Sequence, residues 1–101
     1  MVDVNRVQLS LGELSQATEL SSQVIIQIVE EGIVDAVGES PENWSFTIQA
    51  VPLAKRAYRL HKDLDVDWSG IALALSLIDE LEELREENRR LQRRLNRFTS
   101  M

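Results

Sequence analysis

The fold is decided by residues 10–32, which read SLGELSQATELSSQVIIQIVEEG. Ser10 can cap a short helix over Leu11 to Ala17, because a serine hydroxyl accepts hydrogen bonds from the first free N–H groups of a helix. A second helix is predicted from Ser21 or Ser22, where apolar residues at helical spacing bury one face. Glycine adopts the left-handed conformation without strain, so Gly32 is a natural stop. Two short helices joined by three residues predict a helix-turn-helix.

A β-hairpin is predicted after the second helix, where the apolar period changes. Residues 33–37 are largely apolar, and Trp44, Phe46 and Ile48 alternate with polar neighbours. Residues 38–43 between them are rich in turn formers, which is typical of a hairpin loop. The hairpin would be a wing beside the helix-turn-helix.

Two further helices complete the predicted architecture. Pro52 is suited to the start of a third helix that runs to about Asp63, because its missing N–H is not needed there. Asp67 can cap a long final helix that reaches Phe98. The sequence thus predicts a mainly α chain with a small β-hairpin wing. A winged helix-turn-helix body spans residues 1–66, and a long coiled-coil helix spans residues 67–98.

The final helix carries an apolar seam at alternating spacings of three and four residues. This heptad pattern predicts a coiled coil, and Asn88 at an a position favours one register. The preferred interpretation is homodimerisation, with folding back onto the body as the alternative; parallel and antiparallel pairing both remain open. The residues predicted to form the dimer contact are Leu77, Leu81, Leu84, Asn88, Leu91, Leu95 and Phe98.

The net charge of −6 is concentrated in one half of the chain. Residues 1–50 hold eight acids and one basic residue, a balance of −7, whereas residues 51–101 hold nine acids and ten basic residues, a balance of +1. A surface of this sign repels the phosphates of a duplex. The acidity therefore argues against nucleic acid as the partner of the N-terminal half.

The residues that most enzymes need are missing from the sequence. There is no cysteine, His61 is the single histidine, and no phosphate-binding or nucleophile motif is present. Asp63, Asp65 and Asp67 resemble part of a calcium loop but lack its glycine and distal glutamate. We therefore expect no enzymatic activity, no cofactor and no metal.

Neither a membrane-spanning run nor a signal peptide is recognisable. No apolar stretch approaches the roughly 20 residues of a membrane helix. The first residues lack the basic start and apolar core of a signal peptide. A cytoplasmic location without membrane contact is expected.

The predicted second helix lacks the side chains that read DNA. Residues 22–31 offer two glutamines, no cation and two glutamates, and residues 38–48 of the wing hold no positive charge. Base-edge readout in the major groove relies on Arg, Lys, Asn or Gln, with cations on the phosphates. The scaffold suggests DNA binding, but its charge favours a basic protein surface as partner.

Two resemblances to known families follow from these residues. The run Leu11-Gly12-Glu13-Leu14 through Glu31-Gly32-Ile33-Val34, followed by a wing, a helix and a coil, resembles the MerR-type winged-helix architecture. A fuller match covers nearly the whole chain and resembles the chaperone modulator family typified by CbpM. The run from Asp67-Trp68 to Asp79 is its specific part, with Ser69 in place of a proline. The positions where the resemblance is strongest are Arg59-Leu60-His61, Leu64, Asp67-Trp68, Gly70-Ile71-Ala72, Ala74-Leu75, Leu77, Asp79, and Glu87-Asn88-Arg89 to Arg97-Phe98.

The second resemblance implies a function. It implies a protein that binds the J-domain of a DnaJ-like co-chaperone of the CbpA type and inhibits its cooperation with the Hsp70 chaperone DnaK. The alternative is a MerR-like transcription regulator that binds DNA. Charge complementarity to a basic J-domain helix would set the on-rate and register, and an apolar anchor should accompany it.

Six residues are candidates for the partner contact, although each has a structural interpretation as well. The alternative interpretation of the acids is that they are solvated surface groups, and that of Trp68 is an anchor that holds the long helix to the body. The candidates are Glu30, Glu31, Asp63, Asp65, Asp67 and Trp68.

Overall fold

Four α-helices and one small antiparallel sheet form the computed structural model, which describes residues 7–99. The mainly α class and the long C-terminal helix are confirmed. Residues 1–6 of the predicted body lie outside the described residues. The elements in chain order are β1 (Gln8–Leu9), α1 (Leu11–Thr18), α2 (Ser22–Glu30), β2 (Phe46–Thr47), α3 (Ala50–Leu64) and α4 (Trp68–Thr99).

The two helices of the helix-turn-helix begin and end as their sequence predicts. Ser10 and Glu13 form a capping box: the Ser10 hydroxyl accepts from the Glu13 N–H at 3.1 Å, and the Glu13 carboxylate accepts from the Ser10 N–H at 2.9 Å. The hydrogen bond that the Ser10 N–H donates to the Glu13 carboxylate lowers the pKa of Glu13. Ser21 caps α2 through the Val24 N–H, and Gly32 follows α2 with a φ of 74°.

The wing is closed by one bridge pair rather than by two full strands. Val37 and Ser45 exchange both backbone hydrogen bonds, at 3.0 and 2.9 Å, whereas residues 33–36 form no strand. β2 pairs instead with β1, ahead of the helix-turn-helix, with Leu9 opposite Phe46. Gly38 is required at the turn, because a Cβ there would lie 2.6 Å from the Asn43 carbonyl oxygen. The prediction of a strand over residues 33–37 is wrong: pairing within the hairpin is limited to Val37 and Ser45, and Phe46 and Thr47 pair with β1.

The last two helices differ from prediction in one boundary. α3 begins at Ala50, so Pro52 is its third residue rather than its first. Proline is tolerated there because the first four N–H groups of a helix have no intrahelical partner. Asp67 caps α4 as predicted: its carboxylate accepts from the Gly70 N–H at 3.0 Å.

One apolar core joins all four helices. Leu14 of α1, Ile25 and Ile28 of α2, and Ala54 and Ala57 of α3 are buried, with Phe46 of β2 among them. α4 contributes only Ile71 and Leu75 to this core. The first two turns of α4 are therefore part of the body, and the rest of the helix extends beyond it.

Ile71→Ala is expected to destabilise the body by about 2–5 kcal/mol, because Ile71 is fully buried and its removal leaves a cavity. Leu73→Ala is the matched control on the same helix, since Leu73 is 62% exposed. Denaturant unfolding measures both. If both changes lowered the free energy of unfolding by equally small amounts, α4 would not dock on the body through the side that carries Ile71.

Candidate protein-binding surface

The start of α4 is fixed to α2 and α3 by Trp68. The Trp68 indole N–H donates to the Gln27 side-chain oxygen at 3.1 Å, and the indole stacks on the His61 ring with centroids 4.0 Å apart. His61 Nδ1 lies 2.6 Å from the Val66 carbonyl oxygen, which can only accept, so Nδ1 carries the proton. Trp68 is half-buried and packs against the core. Three elements thus meet at this one side chain.

A surface groove lies between the end of α2 and the first three turns of α4. Its volume is about 190 Å³. Apolar side chains form part of its lining, and one carboxylate from each helix, Glu31 and Asp79, belongs to it as well. We call it the acidic groove; it is lined by Glu31, Gly32, Ile33, Leu53, Ala72, Leu75, Ser76 and Asp79.

The predicted contact residues occupy two places. Glu30 is the last residue of α2 and Glu31 its C-cap, and both are exposed. Asp63, Asp65 and Asp67 are exposed in and beside the α3–α4 link. Of the six candidates, only Glu31 lines the acidic groove.

The acids of the α3–α4 link do not act as one group. Asp65 is the C-cap of α3 with a φ of 51°, and Asp67 accepts from the Ser69 hydroxyl as well as from the Gly70 N–H. The Asp67 carboxylate therefore stabilises the start of α4, whatever else it contacts. Asp63 and Asp65 have no such hydrogen bonds in the described part of the chain.

Asp79 is the groove residue that the sequence did not identify as a site. It is separated from Glu31 by 48 positions, and its place depends on the direction in which α4 crosses the end of α2. The one available signal was its position at the end of the run Asp67 to Asp79 that carries the family resemblance.

Glu30 and Glu31 lie at the unfavourable end of a helix. The C-terminus of a helix carries partial negative charge, so acids there are destabilising by about 0.3–1 kcal/mol each. The last turn of α2 holds no basic residue that would offset them. Such a conflict with local preference is expected where function rather than stability selects the residue.

α2 offers little that could read a DNA duplex. Gln27, one of its two glutamines, is already hydrogen-bonded to Trp68. Residues 7–50 contain seven acids and no lysine or arginine. The surface that would face the major groove is therefore short of both base-reading side chains and phosphate contacts.

The distal part of α4 exposes the predicted apolar seam. Within residues 7–99, no other element covers this face, and its large apolar side chains are 45–76% exposed. An uncovered apolar stripe of this length marks an interaction surface. The exposed seam residues are Leu77, Leu81, Leu84, Leu91, Leu95 and Phe98.

Charge is segregated along the same helix. Residues 79–87 hold six acids and one arginine, a net −5, and residues 88–99 hold five arginines and no acid, a net +5. The two segments meet at Glu86, which accepts from Arg89 Nη2 at 2.6 Å and lies 3.6 Å from Arg93 Nη2. The hydrogen bond from Arg89 lowers the pKa of Glu86.

Residues 7–99 contain neither a metal-binding cluster nor a helix suited to a membrane. They contain no group of three His, Cys, Asp or Glu side chains that could hold a metal ion. None of the helices in this range combines the length and the apolar character that crossing a membrane requires.

Comparison with known proteins gives a consistent result over nearly the whole chain. The family model of the MerR HTH family regulatory proteins matches residues 9–93. The chain is 46% identical over 95 residues to the chaperone modulatory protein CbpM of Pseudomonas putida (strain W619), covering 94% of each chain. It is 38% identical over 94 residues to the CbpM of Salmonella arizonae, covering 93% of each. The chain therefore belongs to the CbpM family of chaperone modulatory proteins, on a MerR-type helix-turn-helix scaffold.

Proposed function

We propose that the chain binds the J-domain of a DnaJ-like co-chaperone of the CbpA type and thereby inhibits its cooperation with Hsp70. It acts by occupying a surface and not by a chemical step. J-domains present a basic helix to Hsp70, and a protein that covers this helix competes with Hsp70 directly. The family membership supports a role in chaperone modulation, and the acidic groove supports this particular mode of binding.

The observation that carries the proposal is the combination of charge and apolar surface in the acidic groove. Glu31 and Asp79 provide carboxylates from two helices, and Ile33, Leu53 and Leu75 provide apolar lining. A basic helix with an apolar side chain between its cations can use both features. Carboxylates accelerate encounter and fix register, while burial of the apolar anchor supplies most of the affinity.

The remaining acidic candidates lie outside the lining of the groove and add negative charge to the same body. Glu30 precedes Glu31 at the end of α2, and Trp68 fixes the α3–α4 link, with Asp63 and Asp65, to α2 through Gln27. In this proposal these acids steer the cationic helix toward the groove. Trp68 holds the groove in shape, and Asp67 keeps the start of α4 in place.

A homodimer formed by the distal part of α4 is the second element of the proposal. The exposed seam has the heptad spacing of a coiled coil, and a second copy of the same helix supplies a matching apolar face. The segregated charges favour antiparallel pairing. In that arrangement the net −5 segment of each copy lies beside the net +5 segment of the other, whereas parallel pairing places like charges side by side.

The direct test is binding of the purified full chain to the isolated J-domain of the organism's DnaJ-like co-chaperones, measured by calorimetry at low and moderate salt. We expect binding to at least one of them, with an affinity that falls as salt rises, and inhibition of J-domain-stimulated ATP hydrolysis by Hsp70. A lack of binding to every J-domain at low salt would overturn the proposal.

The alternative is a MerR-like transcription regulator, which the scaffold itself favours. Its DNA contacts would come from polar side chains and backbone groups, because residues 7–50 lack cations. The same protein can be titrated with genomic duplex fragments at ~50 mM salt, where electrostatic binding is strong. Sequence-selective duplex binding would establish this alternative, and its absence would exclude it.

A further inference from the structure

The body carries a second charged surface, opposite in sign to the acidic groove. Four cations occur within eight residues of α3, on the part of the helix that faces solvent. We infer that this surface is a docking site for an acidic polypeptide segment, distinct from the acidic groove. We call it the basic strip; it consists of Lys55, Arg56, Arg59 and Lys62.

The helical spacing places three of these cations in one row. Lys55, Arg59 and Lys62 are related by steps of four and three residues, which brings them to one side of a helix. At 1.5 Å per residue, the row is about 10 Å long. The buried alanines of α3, Ala54 and Ala57, lie on the other side of the helix. An acidic helix with carboxylates at the same spacing matches this row.

The four cations of the basic strip have no charged or hydrogen-bonding side-chain partner in the described part of the chain. Among residues 7–99, no ion pair or side-chain hydrogen bond engages Lys55, Arg56, Arg59 or Lys62. The arginine segment of α4 differs in this respect, because Arg89 and Arg93 share Glu86. Like-charged neighbours on α3 repel one another, so an anionic partner relieves repulsion as well as adding attraction.

A groove beside the basic strip adds apolar surface to the charge of the strip. It has a volume of about 440 Å³ and lies between the end of α1 and α3. Leu20 and Tyr58 give it apolar surface. The side chains of Lys55, Arg59 and Lys62 themselves line it. A peptide side chain can therefore insert beside the carboxylates that pair with the strip.

The surroundings favour a short acidic polypeptide over a nucleic acid duplex. Glu19 and Asp63 also line this groove, and α1 and α2 carry no cations. A duplex carries one phosphate charge per ~1.7 Å of axis and so extends its negative charge beyond the strip onto these acids. A short peptide with a few spaced carboxylates can pair with the row of cations without extending along α1 and α2.

The test uses the full chain and a short fluorescein-labelled oligoglutamate peptide as probe, followed by fluorescence anisotropy. The test variant is Lys55→Ala/Arg59→Ala/Lys62→Ala. The control, Arg90→Ala/Arg93→Ala/Arg94→Ala, removes the same charge from α4. Three exposed charge pairs together account for roughly a tenfold change in affinity. We expect the test variant to bind about tenfold more weakly than wild type and the control within about twofold of it.

Equal loss in both variants would overturn the inference, since it would mean that the peptide responds to net charge alone. Tighter binding of a random-sequence duplex, lost in the same test variant, would assign the strip to nucleic acid instead. A change in sedimentation mass of the test variant would make the strip a contact between copies of this chain. None of these measurements involves a J-domain. Failure of the inference therefore leaves the proposed function intact, and failure of the proposed function leaves the inference intact.

Discussion

Glu31→Lys combined with Asp79→Lys is expected to weaken J-domain binding at least about a hundredfold and to abolish inhibition of the co-chaperone. Both carboxylates line the acidic groove and both are exposed. Each reversal replaces attraction to a basic helix by repulsion, and like-charge contacts across an interface cost several kcal/mol. Calorimetry with the isolated J-domain measures the affinity, and Hsp70 ATP hydrolysis measures the inhibition.

The same double variant is expected to be at least as stable as the wild type. Glu31 is the C-cap of α2, where a lysine interacts favourably with the helix dipole and a glutamate does not. Loss of binding without loss of stability in denaturant unfolding separates a contact role from a structural one. Asp67 is left unchanged because its carboxylate caps α4.

The matched control is Glu39→Lys with Glu42→Lys, which makes the same charge change on the wing. Both residues are exposed, and neither lines the groove. We expect the affinity of this variant to stay within about threefold of wild type, since only long-range steering is altered. Loss of binding in the wing variant, with retention in the groove variant, would place the contact on the wing.

Leu91→Asp is expected to abolish the proposed dimer and leave a monomer. In the proposed coiled coil Leu91 is buried in the seam, and a two-fold interface buries each change twice. A carboxylate without a partner in an apolar environment costs several kcal/mol. Analytical ultracentrifugation measures the mass. Gln92→Asp, one residue further along, is the control and should remain a dimer.

Asn88→Leu tests the role of the polar seam position. Replacing a buried asparagine by leucine removes a device that fixes register and oligomeric state, so we expect a changed mass or a mixture of species. An unchanged monomeric mass for both wild type and Asn88→Leu would remove the dimer proposal. A dimer that tightens with salt would indicate parallel pairing, because salt screens the repulsion between like segments.

The local features of the fold could be predicted because they depend on neighbouring residues. The Ser10 cap, the Gly32 stop and the Asp67 cap each act within one helical turn, and the structure confirms all three. The pairing of β2 with β1 could not be foreseen, because Gln8 and Leu9 are too few to show a period.

The surfaces were predictable only in part. Glu31 could be named as a candidate from its charge and its position after α2. Its neighbour Asp79 depends on where α4 crosses α2, which is a property of the whole packed body and not of either segment. The basic strip was hidden by summing charge over each half of the chain. In that sum α4 is neutral, with six acids and six arginines, and Asp63, Asp65 and Asp67 offset three of the four cations of α3.

The division of α4 into an anchored and an uncovered part has a consequence for its amide hydrogen exchange. Around Ile71 and Leu75 the helix opens only when the body unfolds, so its amides exchange at the rate of global unfolding. Beyond Leu77 no other element of residues 7–99 covers the apolar seam, and most helical stability in proteins comes from such packing, so we expect these amides to exchange by local fraying. Slow exchange there can come only from a covering partner. A single helix therefore reports two equilibria: folding near its start and assembly toward its end.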